Sequence, residues 1–256
     1  MSVVHAPRKR FGQHFLDSPG IIAKIVAAID PQPGDVMVEI GPGLGALTEP
    51  LLARLPHLHA IEIDRDIIAR LRMHHAPERL TVHEGDVLDF DFATLPAPLR
   101  VVGNLPYNIS TPLLFKLAAL AQRVRDMHFM LQREVVDRMV AQPSTPEYGR
   151  LSVMLQVRYR MLRLFDVPPG AFRPPPRVDS AVVRMVPRAD RPACDDAALA
   201  KVVTAAFTKR RKTLRNALAG AVIEGALEAL GLDPKLRPEN LSVENYVALS
   251  RHATAI

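Results

Sequence analysis

Five short apolar runs, at 36–40, 59–63, 80–84, 100–103 and 127–131, recur between Pro33 and Leu131 with helix-length segments between them. Antiparallel neighbours can be joined by two residues, whereas parallel strands need a crossover of a dozen or more, usually a helix. The spacing therefore predicts a parallel sheet covered on both faces by helices. Ligands in such sheets bind beyond the carboxyl ends of the strands, and this chain keeps its unusual residues at those ends. The first run, Val36-Met37-Val38-Glu39-Ile40, leads into Gly41-Pro42-Gly43-Leu44-Gly45 and then into the helix-like Ala46–Leu52. Glycines let a backbone approach a ligand, and a helix starting there aims unpaired N–H groups at it. The spacing is G-x-G-x-G rather than the G-x-G-x-x-G of dinucleotide folds, and no Lys-Ser/Thr follows to grip a phosphate. A nucleoside without a pyrophosphate fits better.

The next two strand ends supply acids. Glu62, in His59-Ala60-Ile61-Glu62-Ile63-Asp64, lies about twenty residues beyond the glycines, where a ribose-diol acceptor sits in such folds. The plainer alternative is a solvated strand-end carboxylate. Asp86, after Leu80–Glu84 and Gly85, can accept from an adenine amino group while Val87 packs on the ring. The fourth run ends in Gly103-Asn104-Leu105-Pro106-Tyr107. Pro106 cannot donate to a ladder and biases Leu105 away from helical angles, so carbonyls there can face a ligand. The Asn104 amide oxygen and the Leu105 carbonyl can accept both hydrogens of an exocyclic amine, and Tyr107 offers a ring to stack on a base. Taken alone, those four residues are more often a strand-ending turn; four such ends in order, at Gly41, Glu62, Asp86 and Asn104, point to methylation of a base nitrogen.

These residues resemble the S-adenosylmethionine-dependent ribosomal RNA adenine N6,N6-dimethyltransferases, in their bacterial small-subunit (16S), KsgA-type branch. The resemblance is carried by Arg8-Lys9-Arg10-Phe11-Gly12-Gln13-His14-Phe15-Leu16, the Glu39–Gly45 loop, Asn104–Tyr107, Ala171-Phe172-Arg173-Pro174-Pro175-Pro176-Arg177-Val178-Asp179-Ser180 and the basic Phe207–Leu218 segment. It implies a Rossmann-like class I methyltransferase fold, α/β with a mostly parallel seven-stranded sheet, plus a small all-helical C-terminal domain. It also implies S-adenosyl-L-methionine as cofactor, held by Gln13, His14, Leu16, Gly41, Gly43, Glu62, Ile63, Asp86, Val87 and Asn104. Asn104, Leu105, Pro106 and Tyr107 would form the catalytic turn, with Phe172 across the pocket so that the target adenine is sandwiched. The implied substrate is a pair of adjacent adenosines in a hairpin loop near the 3' end of 16S rRNA, within the small (30S) ribosomal subunit. His14 stands where the family commonly has Asn; a protonated imidazole there adds positive charge near a sulfonium, so cofactor affinity is expected to fall at acid pH. Small residues around Gly103 are expected to leave room for the first methyl.

Organisation and charge complete the reading. Asp17-Ser18-Pro19 looks like a cap opening a helix through Ala28. Met161–Val167 and Ser180–Val186 read as an added strand pair, Arg188–Pro192 as a linker, and Asp195 onward as helical, which predicts domains over 1–187 and 193–256. The formal charge is +6, and its distribution suggests phosphate clamps: Arg8, Lys9 and Arg10 at the start, and Lys209, Arg210, Arg211, Lys212 and Arg215 on one helical segment. Arg158, Arg160, Arg163, Arg173 and Arg177 extend that track. The single Cys194 and the lack of zinc-ligand spacing predict a metal-free protein of a reducing compartment, the cytoplasm. No apolar run is long enough to span a bilayer, and no sustained heptad argues against a monomer. Two other readings stay open: a 23S rRNA adenine methylase of the macrolide-resistance type, and a non-catalytic assembly factor gripping nucleic acid with the same fold.

Overall fold

The computed structural model describes residues 14–254, so Gln13 and the basic Arg8-Lys9-Arg10 lie outside the described residues. The chain forms two compact units. The first runs to Val136 and resumes over Met161–Pro187; the second takes Asp137–Arg160 and resumes at Arg188. The sequence reading counted 137–160 with the first.

In the first unit a short strand, β1 (Phe15–Leu16), precedes helix α1 (Pro19–Ile29). Ser18 sits at its N-cap with extended angles but makes no side-chain capping bond, so the start is set by Pro19, whose fixed φ suits the first helical position. The alternation then proceeds as β2 (Val36–Ile40), α2 (Thr48–Leu52), β3 (Leu58–Glu62), α3 (Arg65–His74), β4 (Leu80–Glu84), β5 (Leu99–Asn104), α4 (Ser110–Ala118), β6 (Val124–Gln132) and α5 (Arg133–Val140). After α6 (Arg150–Gln156) come β7 (Tyr159–Val167), the two-residue β8 (Phe172–Arg173) and β9 (Ser180–Pro187). Seven strands form one sheet in the order β4-β3-β2-β5-β6-β9-β7. The five from β2 to β6 pair in parallel and β9 runs antiparallel to β6, so the sheet is the mostly parallel one expected. The added strand pair lies at its far edge. A separate ribbon pairs β1 with β8, Leu16 opposite Phe172.

The register fixes which side chains share a face. Glu39 is level with Ala60 and with Val102, and Gln132 with Ser180. With side chains alternating along each strand, Glu39, Glu62, Arg100, Val102, Asn104 and Ser180 all emerge on one face. Ile25, Val26 and Ile29 of α1 pack there with Val102, Met130, Val182 and Phe172 in a single buried cluster. At the amino end of β5 the buried Arg100 guanidinium binds Asp126 through Nε (2.8 Å) and Nη2 (2.9 Å), donates to Asp35 at 2.6 Å, and reaches the Asp30 and Ile29 carbonyls at the end of α1. Every polar atom of that buried cluster of charge thus has a partner, the condition under which such a cluster is tolerated.

The second unit contains α7 (Asp196–Thr208), α8 (Leu214–Ala217), α9 (Ala226–Ala229) and α10 (Val243–Ser250) as well as α6, the helical character expected. Phe207 meets Tyr148 edge-on and lies tilted against Tyr246, and the Tyr246 hydroxyl donates to the Pro238 carbonyl at 2.7 Å. The basic run is not one helical segment. α7 stops at Thr208 and α8 begins at Leu214, so Lys209–Thr213 forms a turn. Lys209, Arg211, Lys212 and Arg215 are exposed. Arg210 instead turns inward, pairing with Glu239 at 2.6 Å and donating to the Pro146 carbonyl at 2.7 Å. Arg158 is likewise buried, donating to the Met154 carbonyl and paired with Asp196 at 2.6 Å, so it cannot extend an exposed track. Among the described residues no helix is long and apolar enough to cross a membrane.

Candidate active site

A cleft of about 210 Å³ opens at the carboxyl ends of β2, β3 and β4. Gly41, Glu62, Ile63, Asp86 and Val87 line it, joined by Pro106, Asn108 and Ile109 from the segment after β5. Glu62 is the last residue of β3 and 7% exposed. Its Oε1 accepts the backbone N–H groups of Ile63 and Asp64, each at 2.9 Å. Burial pushes its carboxyl above the ordinary range, while backbone N–H bonds from Asp64, Ile63 and Gly43 pull the other way. Such bonds orient the carboxylate at a fixed point of the cleft wall. Asp86 closes a local turn, its Oδ1 accepting from Leu88 N–H at 2.8 Å, while Val87 beside it is apolar and buried.

The glycine loop earns its composition at Gly43. Its φ is +54°, and a Cβ there would meet the Phe15 ring at 3.0 Å, so β1 lies directly against the loop. Below the loop is a group the sequence reading did not count as a site residue. Glu39, 1% exposed, accepts from Thr48 Oγ1 at 2.7 Å, and burial raises its carboxyl to about 7, aided by the charges of Glu62 and Glu49. An acid inside an otherwise apolar strand was the available signal.

Asn104 ends β5 on the face it shares with Glu62. Its Nδ2 donates to the His14 carbonyl at 2.9 Å, which directs Oδ1 away from that carbonyl as an acceptor. The Leu105 N–H is engaged by the Met130 carbonyl at 3.1 Å, and Ser110 Oγ donates to the Pro106 carbonyl at 3.0 Å. The turn is thus bonded in place on both sides. The partly buried Tyr107 hydroxyl lies 2.6 Å from Ser180 Oγ, and the His14 ring stacks on Tyr107 at 5.5 Å between centroids and 27° between planes. His14 Nδ1 is 2.9 Å from the Pro174 carbonyl; a carbonyl only accepts, so Nδ1 carries the hydrogen.

Two expectations change. Phe172 is completely buried in the core cluster, because its pairing with Leu16 in the β1/β8 ribbon turns its ring inward; in this conformation it does not face Tyr107 across a pocket. The side chain of Leu16, 7% exposed, packs in the same cluster. Gly103 gives no room to a substrate: a Cβ there would lie 2.5 Å from the Ile40 carbonyl oxygen, so its smallness serves the approach of β5 to β2. The sequence reading missed Asn108, Ile109 and Ser180. The first two directly follow the Asn-Leu-Pro-Tyr turn, whereas Ser180 becomes visible only through the β6/β9 register.

The family model described as Ribosomal RNA adenine dimethylase matches residues 4–254. Over 253 residues the chain is 66% identical to the Ribosomal RNA small subunit methyltransferase A of Aromatoleum aromaticum, covering 98% of this chain and 96% of that protein. Among solved structures, a dimethyladenosine transferase from Plasmodium falciparum is similar with a TM-score of 0.82 at 25% identity, covering 94% of this chain and 99% of that one. The 23S rRNA methyltransferase ErmE shares the fold, with a TM-score of 0.71 at 24% identity over 93% of this chain and 98% of that one.

Proposed function

The chain belongs to the ribosomal RNA adenine dimethylase family, and from that premise we propose that it transfers methyl groups from S-adenosylmethionine to N6 of two adjacent adenosines in a hairpin loop near the 3' end of 16S rRNA. The product is N6,N6-dimethyladenosine in the small ribosomal subunit. The observation that carries the reading is a single cleft in which Gly41, Glu62 and Asp86, the nucleoside-binding set, meet Pro106 of the Asn-Leu-Pro-Tyr turn. Cofactor and amine are thereby brought to one place.

The residues fit the cofactor. The Glu62 carboxylate takes the ribose hydroxyls, Asp86 accepts from the adenine amino group, and Val87, Ile63 and Ile109 provide apolar walls. S-adenosylmethionine, when bound, supplies a methyl group on an electrophilic sulfonium. The protein's part is placement. Asn104 Oδ1 and the Leu105 carbonyl accept the two N6 hydrogens, drawing a conjugated, weakly nucleophilic amine toward a tetrahedral form with its lone pair free. Tyr107 stacks on the base, and the walls exclude water. No strong base is required, since the nitrogen becomes acidic on methylation and its proton leaves through the Asn104 amide oxygen to which it is already hydrogen-bonded. The exposed Lys209, Arg211, Lys212 and Arg215 hold rRNA phosphates, and we extend this role to Arg8, Lys9 and Arg10. The protein works as a monomer in the cytoplasm.

The test is transfer of labelled methyl to undermethylated small subunits, followed by digestion and nucleoside chromatography, with naked large-subunit RNA in parallel. N6,N6-dimethyladenosine from the small subunit alone is expected. Label in large-subunit RNA, or none despite tight particle binding, overturns the reading.

A further inference from the structure

Tyr107 is held from two directions. Its hydroxyl is 2.6 Å from Ser180 Oγ, where either oxygen can donate, and Ser180 is fully buried at the first position of β9, level with Gln132 of β6. One ring face is covered by His14, itself tied through Nδ1 to the Pro174 carbonyl at 2.9 Å. A phenol with a free hydroxyl could swing about its Cα–Cβ bond; one bonded at its tip to a strand residue cannot. With Phe172 in the core, no second aromatic wall among the described residues compensates for a mobile Tyr107. We propose that Ser180 is the positioning residue of the acceptor site: its hydrogen bond to Tyr107 sets the ring plane, so that the target base stacks on the face turned away from His14 and presents N6 to Asn104. The idea rests on the methyltransferase reading above and deepens it.

The chemistry of the pair supplies a test independent of turnover. The chain has four tyrosines. Tyr148, Tyr159 and Tyr246 are fully buried, and burial pushes each phenol far above its ordinary range. Burial also raises Tyr107, but the Ser180 bond opposes that rise, so among the four only Tyr107 carries a bond that a Ser180 substitution removes. In protein labelled with 13Cζ-tyrosine, Tyr107→Phe assigns the resonance. Ser180→Ala is expected to move its titration to higher pH while leaving the other three in place.

On undermethylated small subunits, Ser180→Ala should lower kcat/KM about five- to tenfold, the scale of one lost hydrogen bond. Ser180→Ala combined with Tyr107→Phe should be no worse than Tyr107→Phe alone, because both remove the same bond. Ser180→Cys, which keeps the volume of this buried position and a weak donor, should fall between wild type and Ser180→Ala. An unmoved Tyr107 resonance, or additive losses in the double variant, overturns the proposal. If wild-type protein leaves small subunits unmethylated, the functional reading fails by itself and the titration still decides whether Ser180 governs Tyr107.

Discussion

Replacing Gly103 by Ala tests whether the sheet positions the Asn-Leu-Pro-Tyr turn proposed as catalytic. A Cβ at this position would lie 2.5 Å from the Ile40 carbonyl oxygen and 3.2 Å from a Leu105 methyl, whereas ordinary contact begins at 3.4 Å. The near neighbour is backbone at the last residue of β2, one step past the final β2/β5 pair, Glu39 opposite Val102, so it cannot rotate away as a side chain would, and the two strands must part by about 0.9 Å locally. Overpacking of this kind costs about 1–3 kcal/mol, a fall of several degrees in Tm for a chain of this size. Activity should suffer more. Asn104 is the next residue, and displacement of a positioning group by about 1 Å costs roughly a hundredfold in rate. Thermal unfolding followed by circular dichroism and kcat/KM on undermethylated small subunits separate the two effects. Gly20→Ala is the control, since nothing lies within 4 Å of a Cβ there and Ala in α1 should stabilise by up to about 1 kcal/mol. A Gly103→Ala protein with wild-type Tm and activity within a few-fold of wild type would refute the reasoning.

Other consequences follow from the same geometry. Glu39 has its carboxyl raised from an ordinary 4.5 to about 7 by burial; below about pH 4.5 both folded and unfolded states are protonated, and as pH rises through 7 the unfolded chain ionises first, so about 3 kcal/mol of stability is lost. Glu39→Gln should flatten that slope, seen as urea midpoints of variant and wild type that converge at pH 4.5 and separate by pH 8 in favour of the variant. Arg100→Met should cost about 3–5 kcal/mol, because Asp35 and Asp126 stay buried without their buried cation and keep only the solvent-exposed Arg125 and Arg184; a loss below about 1 kcal/mol in chemical denaturation would contradict the network's role. Replacing Lys209, Arg211 or Lys212 with Gln should each reduce the salt slope of subunit binding by about one with Tm unchanged, whereas Arg210→Gln should lower Tm, since Arg210 holds Glu239 and the Pro146 carbonyl.

The parts of the candidate site legible in the sequence are those set by local pattern. Glu62 and Asp86 followed from strands ending in acids at a fixed distance from a glycine loop, and Asn104 from a strand that stops at a proline turn. Each depends only on the few residues around it and on the rule that parallel sheets gather ligands at one edge. Phe172 was misplaced for the opposite reason. Whether its ring faces the cleft or the core is decided by pairing with Leu16, a partner far away in sequence, and a two-residue ribbon has no periodicity to announce it. The contact of Tyr107 with Ser180 has the same origin in the β6/β9 register. In the basic run, charge density suggested continuous helix, but Thr213, with extended angles just before Leu214, starts a new one and leaves a turn. That break turns Arg210 inward and leaves its neighbours exposed.

β5 supports the proposal that this site works through neutral acceptors. Neutral acceptors such as an amide oxygen and a peptide carbonyl act through direction, and direction is lost when a side chain or strand drifts by tenths of an ångström. The strand answers that demand along its length. At its amino end Arg100 ties it to β6 and to the end of α1, at Gly103 the absence of a side chain lets it lie hard against Ile40, and at its carboxyl end Asn104 is fixed by the His14 carbonyl. The ionic cluster and the amide thus stand on one face at opposite ends of one strand, four residues apart in sequence. The ionic cluster that rigidifies the sheet thus stands apart from Asn104, the neutral acceptor we propose for the amine.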